Sequence, residues 1–212
     1  MSANPNPITI DNSALILIDH QPWVAFPVQS IDRSQLINNV TALAAAARTL
    51  GVPTVLTTVG ASGGPLRDPI FHQIREVFPD QEPIDRVSTN AWADIKPAGV
   101  ATGRRVLVLA GIWTEACLAQ TTLSALADGY TVYFVSDCSG GTTQEAHEDA
   151  KRRMAQAGAN GINWIGLMTE WAPDYTTQER AAVNPVILER GGGVGLALEY
   201  VRANRSVPAG VA

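Results

Sequence analysis

Cysteine is scarce in this sequence. Two residues, Cys117 and Cys138, occur among 212. That is too few for a disulfide framework and fits reduced thiols. Nowhere do about 18 apolar residues run uninterrupted, so no membrane span is expected. The first residues, MSANPNPITIDNS, have no positively charged start and no apolar stretch, so no secretory signal is read there and a cytoplasmic location is expected. Long basic runs are missing as well. Lys and Arg total 15 against 20 Asp and Glu, for a net charge of −5. Nucleic acid and anionic membrane surfaces are therefore not expected partners. The three histidines, His20, His72 and His147, lack the spacing of metal ligands.

What is present is a globular composition, 46% hydrophobic and 17% charged, of a length suited to one α/β domain. Short, nearly continuous apolar runs read as strands buried on both faces. They are ALILID (14–19), PTVLTTV (53–59), RVLVLA (105–110) and TVYFVSD (131–137), with INWIGL (162–167) and the weaker PIDRVS (83–88). Helical patterns separate them at 33–51, from 114 to 129, and at 142–158. His147 falls in the last of these between Glu145 and Glu148 and reads as a solvated face residue. The alternation predicts an α/β, three-layer, doubly wound sheet of about six mostly parallel strands with helices on both faces. One domain over 1–212 is expected, with 176–212 a C-terminal helix and tail. GGGVG (191–195) lacks the G-K-[ST] ending of a phosphate loop and reads as a linker.

In such a sheet, ligands bind beyond the carboxyl ends of the strands, at the switch point. Asp19 follows the first strand, Arg86 the third, and the turn GIWTEACL (111–118) the fourth. Cys117 would then sit in the first turn of a helix, where unpaired N–H groups and the dipole favour thiolate. A nearby carboxylate can take its proton, and the same N–H groups can hold an oxyanion. Position alone leaves a second reading open, a small buried apolar side chain at a helix start.

The blocks SALILIDHQ (13–21), GIWTEACL and GYTVYFVSDCSGGTT (129–143) resemble the isochorismatase-like cysteine hydrolases. DHQPWVAF and NAW (90–92) resemble its YcaC-like branch most. The resemblance implies an Asp-Lys-Cys triad in which Asp19 is the base and Cys117 the nucleophile. It implies a cis peptide at Ile112–Trp113 that aims the Trp113 N–H, with that of Cys117, at a substrate oxygen. Gln21, Phe26, Trp92 and Trp113 are the expected pocket residues. A homo-oligomer is expected, with an octamer as the branch's example.

The chain departs from the pattern in one place. Where the family carries lysine, it reads I-D-R-V-S, so Arg86 is the expected third member, with Lys96 as a fallback. Arginine supplies fixed positive charge but does not shuttle protons. Zinc-binding relatives carry an Asp-x-His pair after the second strand. TTVGASGGPLRD (57–68) has none, so no metal and no cofactor are expected. The implied activity is hydrolysis of a small amide-like C–N bond through a thioester. The alternatives are an enol ether hydrolase of isochorismatase type, which needs no thiol, and a non-catalytic binding or scaffold protein.

Overall fold

The computed structural model describes residues 8–63, 69–96 and 103–205. The second half of the segment 57–68, read above for metal ligands, lies outside them. Six parallel strands form one sheet in the order β3-β2-β1-β4-β5-β6. They are β1 (Ser13–Ile18), β2 (Thr54–Val59), β3 (Ile84–Arg86), β4 (Val106–Gly111), β5 (Thr131–Val135) and β6 (Asn160–Ile162). The order reverses between β1 and β4, which places the switch point where their carboxyl ends meet.

Strand periodicity divides the apolar residues between two cores. Leu15, Leu17, Val106, Val108 and Ala110 face one side. Ala14, Ile16, Ile18, Leu107 and Leu109 face the other. The first side is covered by α2 (Arg33–Thr49), α7 (Trp164–Trp171) and α8 (Gln178–Arg190). The second is covered by α4 (Trp92–Ile95), α5 (Ala119–Ala127) and α6 (Gln144–Gln156). Both faces of the sheet are dry, and so the strands read as unbroken apolar runs. The caps follow the sequence. Asp32 accepts from the Ser34 and Gln35 N–H groups at the start of α2, and Thr143 accepts from Ala146 N–H at the start of α6.

Four sequence expectations are corrected. INWIGL is not a strand: β6 ends at Ile162, and the Asn163 side chain caps α7 by accepting from Gly166 N–H. The apolar run there is the buried face of a helix, which a short window cannot distinguish from a strand. The C-terminal segment holds two helices, α8 and α9 (Gly193–Arg205), not one. GGGVG is their tight connection, with Gly192 at φ +53 and Gly193–Gly195 already helical. His147 is buried, not solvated. Two short helices complete the chain, α1 (Pro22–Ala25) and α3 (His72–Val77). No helix among the described residues is long and apolar enough to cross a membrane.

Candidate active site

The reversal of strand order puts three chain segments side by side. Asp19 directly follows β1, and its backbone takes φ +57, a conformation unusual for any residue but glycine. Its N–H donates to the Thr57 carbonyl at 3.1 Å, and its carbonyl accepts from Gln21 N–H at 2.7 Å. The side chain is fully buried. One carboxylate oxygen accepts from the Thr57 hydroxyl at 2.8 Å. The other is bonded by the Arg86 guanidinium, which is equally buried. Arg86 is the last residue of β3, and its second terminal nitrogen donates to the Ser88 carbonyl. Two strands away from β1, this arginine reaches Asp19 because its side chain is long.

Cys117 arrives from the other side. The segment after β4 is not a regular α-helix at its start. A π-helical turn, Thr114–Leu118, precedes α5, and Cys117 lies inside it. The sequence alone places the thiol in a first α-turn; the wider turn changes which N–H groups surround it. The Ile112–Trp113 peptide just before is cis. Cys117 is 7% exposed and shares an apolar cluster with Trp92 and Leu118. Its thiol lies close enough to both Asp19 and Arg86 for each to act on its ionisation. Gly111 permits the close approach of this turn to β1, since a Cβ there would stand 2.9 Å from that of Ile18.

The electrostatics differ from a pre-formed thiolate. Burial, reinforced by the charge of Asp19, pushes the Cys117 thiol up to about 11, against the pull of Arg86. Burial also raises the Asp19 carboxyl above its ordinary value, while Arg86 and the Thr57 hydroxyl oppose the rise. The resting thiol is therefore held protonated, and the buried carboxyl beside it is more basic than an ordinary aspartate.

A second set of residues braces the turn from behind. Thr114 N–H donates to the Gly140 carbonyl at 2.9 Å, and the Thr114 hydroxyl lies 2.8 Å from Nδ1 of His147. Glu115 accepts from both the backbone N–H and the hydroxyl of Thr142, at 3.0 and 2.6 Å. Gly111 N–H donates to the Ser139 hydroxyl at 3.1 Å. The segment after β5 thus holds the Cys117 turn in place. Sequence reasoning missed the roles of Thr57, Thr114 and His147, although Thr57 opens the TTVGASGGPLRD stretch and Thr114 lies within GIWTEACL.

The remaining sequence candidates separate. Gln21 is buried and spans to Val59, accepting from its N–H at 2.8 Å and donating to its carbonyl at 3.4 Å, so it is a strut between the ends of β1 and β2. Phe26 is 78% exposed at the end of the one-turn α1 and forms no pocket wall within one chain. Trp92 packs in the cluster of Cys117 and donates from Nε1 to Asp128 at 2.5 Å. Trp113 is half-buried and donates from Nε1 to the Val24 carbonyl at 2.7 Å. Lys96 pairs with Asp128 at 2.9 Å and takes no part in the Asp19 cluster. Cys138 is a free, buried thiol whose carbonyl accepts from His20 Nε2 at 2.9 Å. Among the described residues, no three His, Cys, Asp or Glu gather as metal ligands would.

The whole chain is similar to known proteins. The isochorismatase domain matches residues 13–165. The probable hydrolase YcaC of Escherichia coli is 35% identical over 168 residues, 78% of this chain and 80% of that protein. The structure of YcaC from Pseudomonas aeruginosa with hexane-2,5-diol and covalent acrylamide superposes with a TM-score of 0.86 at 30% identity, covering 94% of this chain and 99% of that one. The Escherichia coli YcaC crystal structure, described as an octameric hydrolase of unknown specificity, superposes with a TM-score of 0.86 at 29% identity, over 95% and 99% of the two chains.

Proposed function

The chain belongs to the isochorismatase family, and from that premise we propose that it hydrolyses a small amide-like C–N bond through a thioester on Cys117. The observation that carries this reading is the contact of the Cys117 thiol with Asp19, a buried carboxylate fixed by Arg86 and Thr57.

Asp19 removes the thiol proton as sulfur attacks the carbonyl carbon. The backbone N–H groups of Trp113 and Cys117 receive the oxyanion. The C–N bond breaks, and Asp19 passes its proton to the departing nitrogen. Water then adds to the thioester as Asp19 takes its proton, and Cys117 leaves and is reprotonated. Arg86 stays charged throughout and holds Asp19 in place, which is what a guanidinium does well. Trp92, which packs in the apolar cluster of Cys117, is the proposed apolar wall beside the reacting carbon. The covalent acrylamide of the Pseudomonas aeruginosa relative supports a nucleophilic side chain in this fold. The octamer of the Escherichia coli relative supports a homo-oligomer here.

Two rival readings receive less support. An enol ether hydrolase has no use for a buried thiol set beside its base. A scaffold protein has no use for an arginine buried against a carboxylate at the switch point. A screen of small amides with the wild type, Cys117→Ala and Asp19→Asn tests the reading. Ammonia or amine release lost in both variants supports it. Turnover retained in Cys117→Ala overturns it.

A further inference from the structure

Arg180 is a buried cation with no opposite charge beside it among the described residues. It lies in the first turn of α8 and is 4% exposed. A guanidinium stays charged, and charges taken out of water are ordinarily paired. Among the described residues, no carboxylate forms an ion pair with Arg180. Its Nη1 donates to the Ala172 carbonyl at 3.4 Å, a long bond, and its Nε–H is buried with no acceptor. The Tyr175 ring lies over the guanidinium, its centre 4.3 Å from Cζ.

Asn184 and Leu188 follow Arg180 at four-residue intervals, so the three share one face of α8. That face borders a cavity of about 380 Å³ lined by Tyr175, Asn184, Leu188, Leu198, Val201 and Arg202. Apolar walls with a few polar groups are the ordinary makeup of a small-molecule site. Here Oδ1 of Asn184 is buried with no donor, and Arg202 adds a second positive charge. A buried donor on Arg180 and a buried acceptor one helical turn away are both unfavourable while unpaired. Tyr175 is the wall that the cavity shares with Arg180. It is 73% exposed, so its ring can turn aside without opening the core.

We propose that this cavity takes a small carboxylate that also carries a hydrogen-bond donor. The carboxylate meets Arg180 as Tyr175 turns aside, and the donor meets Oδ1 of Asn184. The apolar body lies between Leu188, Leu198 and Val201. A guanidinium grips a carboxylate through paired N–H groups, and Nε–H is one member of such a pair. The site is built by α8, α9 and the segment before α8, none of which carries Asp19, Arg86 or Cys117. It therefore stands apart from the C–N bond reaction.

The test is isothermal titration calorimetry of the full chain with 4-hydroxyphenylacetate, which has the charge, the donor and an apolar body. Phenylacetate lacks the donor, and the methyl ester of 4-hydroxyphenylacetate lacks the charge. The expected result is a single saturable site, with each analogue weaker by about tenfold or more. Asn184→Leu is expected to weaken 4-hydroxyphenylacetate to the level of phenylacetate, and Arg180→Gln to the level of the ester. Val201 is exposed, so Val201→Trp fills the cavity from its open side and is expected to abolish binding. These two surface-side variants, Asn184→Leu and Val201→Trp, decide the matter if Arg180→Gln does not fold, which far-ultraviolet circular dichroism checks. No saturable binding to the wild type at millimolar concentration overturns the proposal. So does binding that survives Val201→Trp, which places the ligand elsewhere. Equal binding of the ester, or displacement by inorganic phosphate at equal concentration, overturns the ligand class.

Discussion

The Thr114 hydroxyl and Nδ1 of His147 share a buried hydrogen bond of 2.8 Å, across the gap between the Cys117 turn and α6. Thr114 opens the π-helical turn that carries Cys117. His147 is held neutral by burial and by Lys151, which lower its pKa against the pull of Glu148 and Glu115. Its loss leaves a buried hydroxyl unpaired. His147→Ala is expected to lower unfolding stability by about 2 kcal/mol, and Thr114→Val by a similar amount. The double variant should lose less than the sum, because the two substitutions remove one shared bond. Urea titration of all four proteins measures the coupling, and strict additivity would refute the pairing.

Arg86 and Asp19 test the buried ion pair. Removing one partner leaves the other charge dry and uncompensated, which costs about 3–5 kcal/mol. Arg86→Met is expected to destabilise by that order in chemical unfolding, with Arg86→Lys intermediate. A neutral Arg86→Met variant would mean that the pair is solvated.

His20 sets a pH dependence of stability. Nε2 donates to the Cys138 carbonyl, and Nδ1 is buried with no partner, so the imidazolium has no place for its second proton. Burial lowers the pKa from 6.5 to about 4. Between those values the unfolded chain binds the proton and the folded chain does not. Stability is therefore full above 6.5 and is lost as pH falls toward 4, by up to about 1.4 kcal/mol per pH unit. Asp19, raised by burial, contributes with the opposite sign but equally in both proteins compared. Urea midpoints from pH 7 to 4 should fall less steeply in His20→Gln than in the wild type.

On the proposed mechanism, Asp19 controls the acid limb of activity. A general base works only when deprotonated, so the rate rises with pH through its pKa. Burial places that limb above the ordinary aspartate value of 3.8. Arg86 opposes the rise, so Arg86→Lys, which weakens the fork, should move the limb further up. A limb below 3.8 would show that burial does not dominate.

Much of this was legible in the sequence. Strands with both faces covered announce themselves as apolar runs, and their alternation with helices fixed the order of Asp19, Arg86 and Cys117 along the switch point. The errors share a cause. INWIGL is apolar because a helix face is buried there, and six residues cannot show a helical period. His147 sits among charges in sequence but meets Thr114 through the fold, a contact between residues 33 apart. The resting state of Cys117 was also out of reach. A helix start favours thiolate, yet burial and Asp19 outweigh it, and burial is a tertiary quantity.

The central claim is that Asp19 takes the proton of Cys117 during attack. With the thiol raised to about 11, roughly one molecule in ten thousand is thiolate at pH 7. Peptide mass spectrometry after brief exposure to p-nitrophenyl acetate at pH 7 measures acylation of Cys117 directly. The account predicts a single acetyl group on Cys117, none on Cys138, and a rate lower by about 100-fold or more in Asp19→Asn. Acylation of Cys117 at an unchanged rate in Asp19→Asn, or no acylation of Cys117 in the wild type, would contradict it.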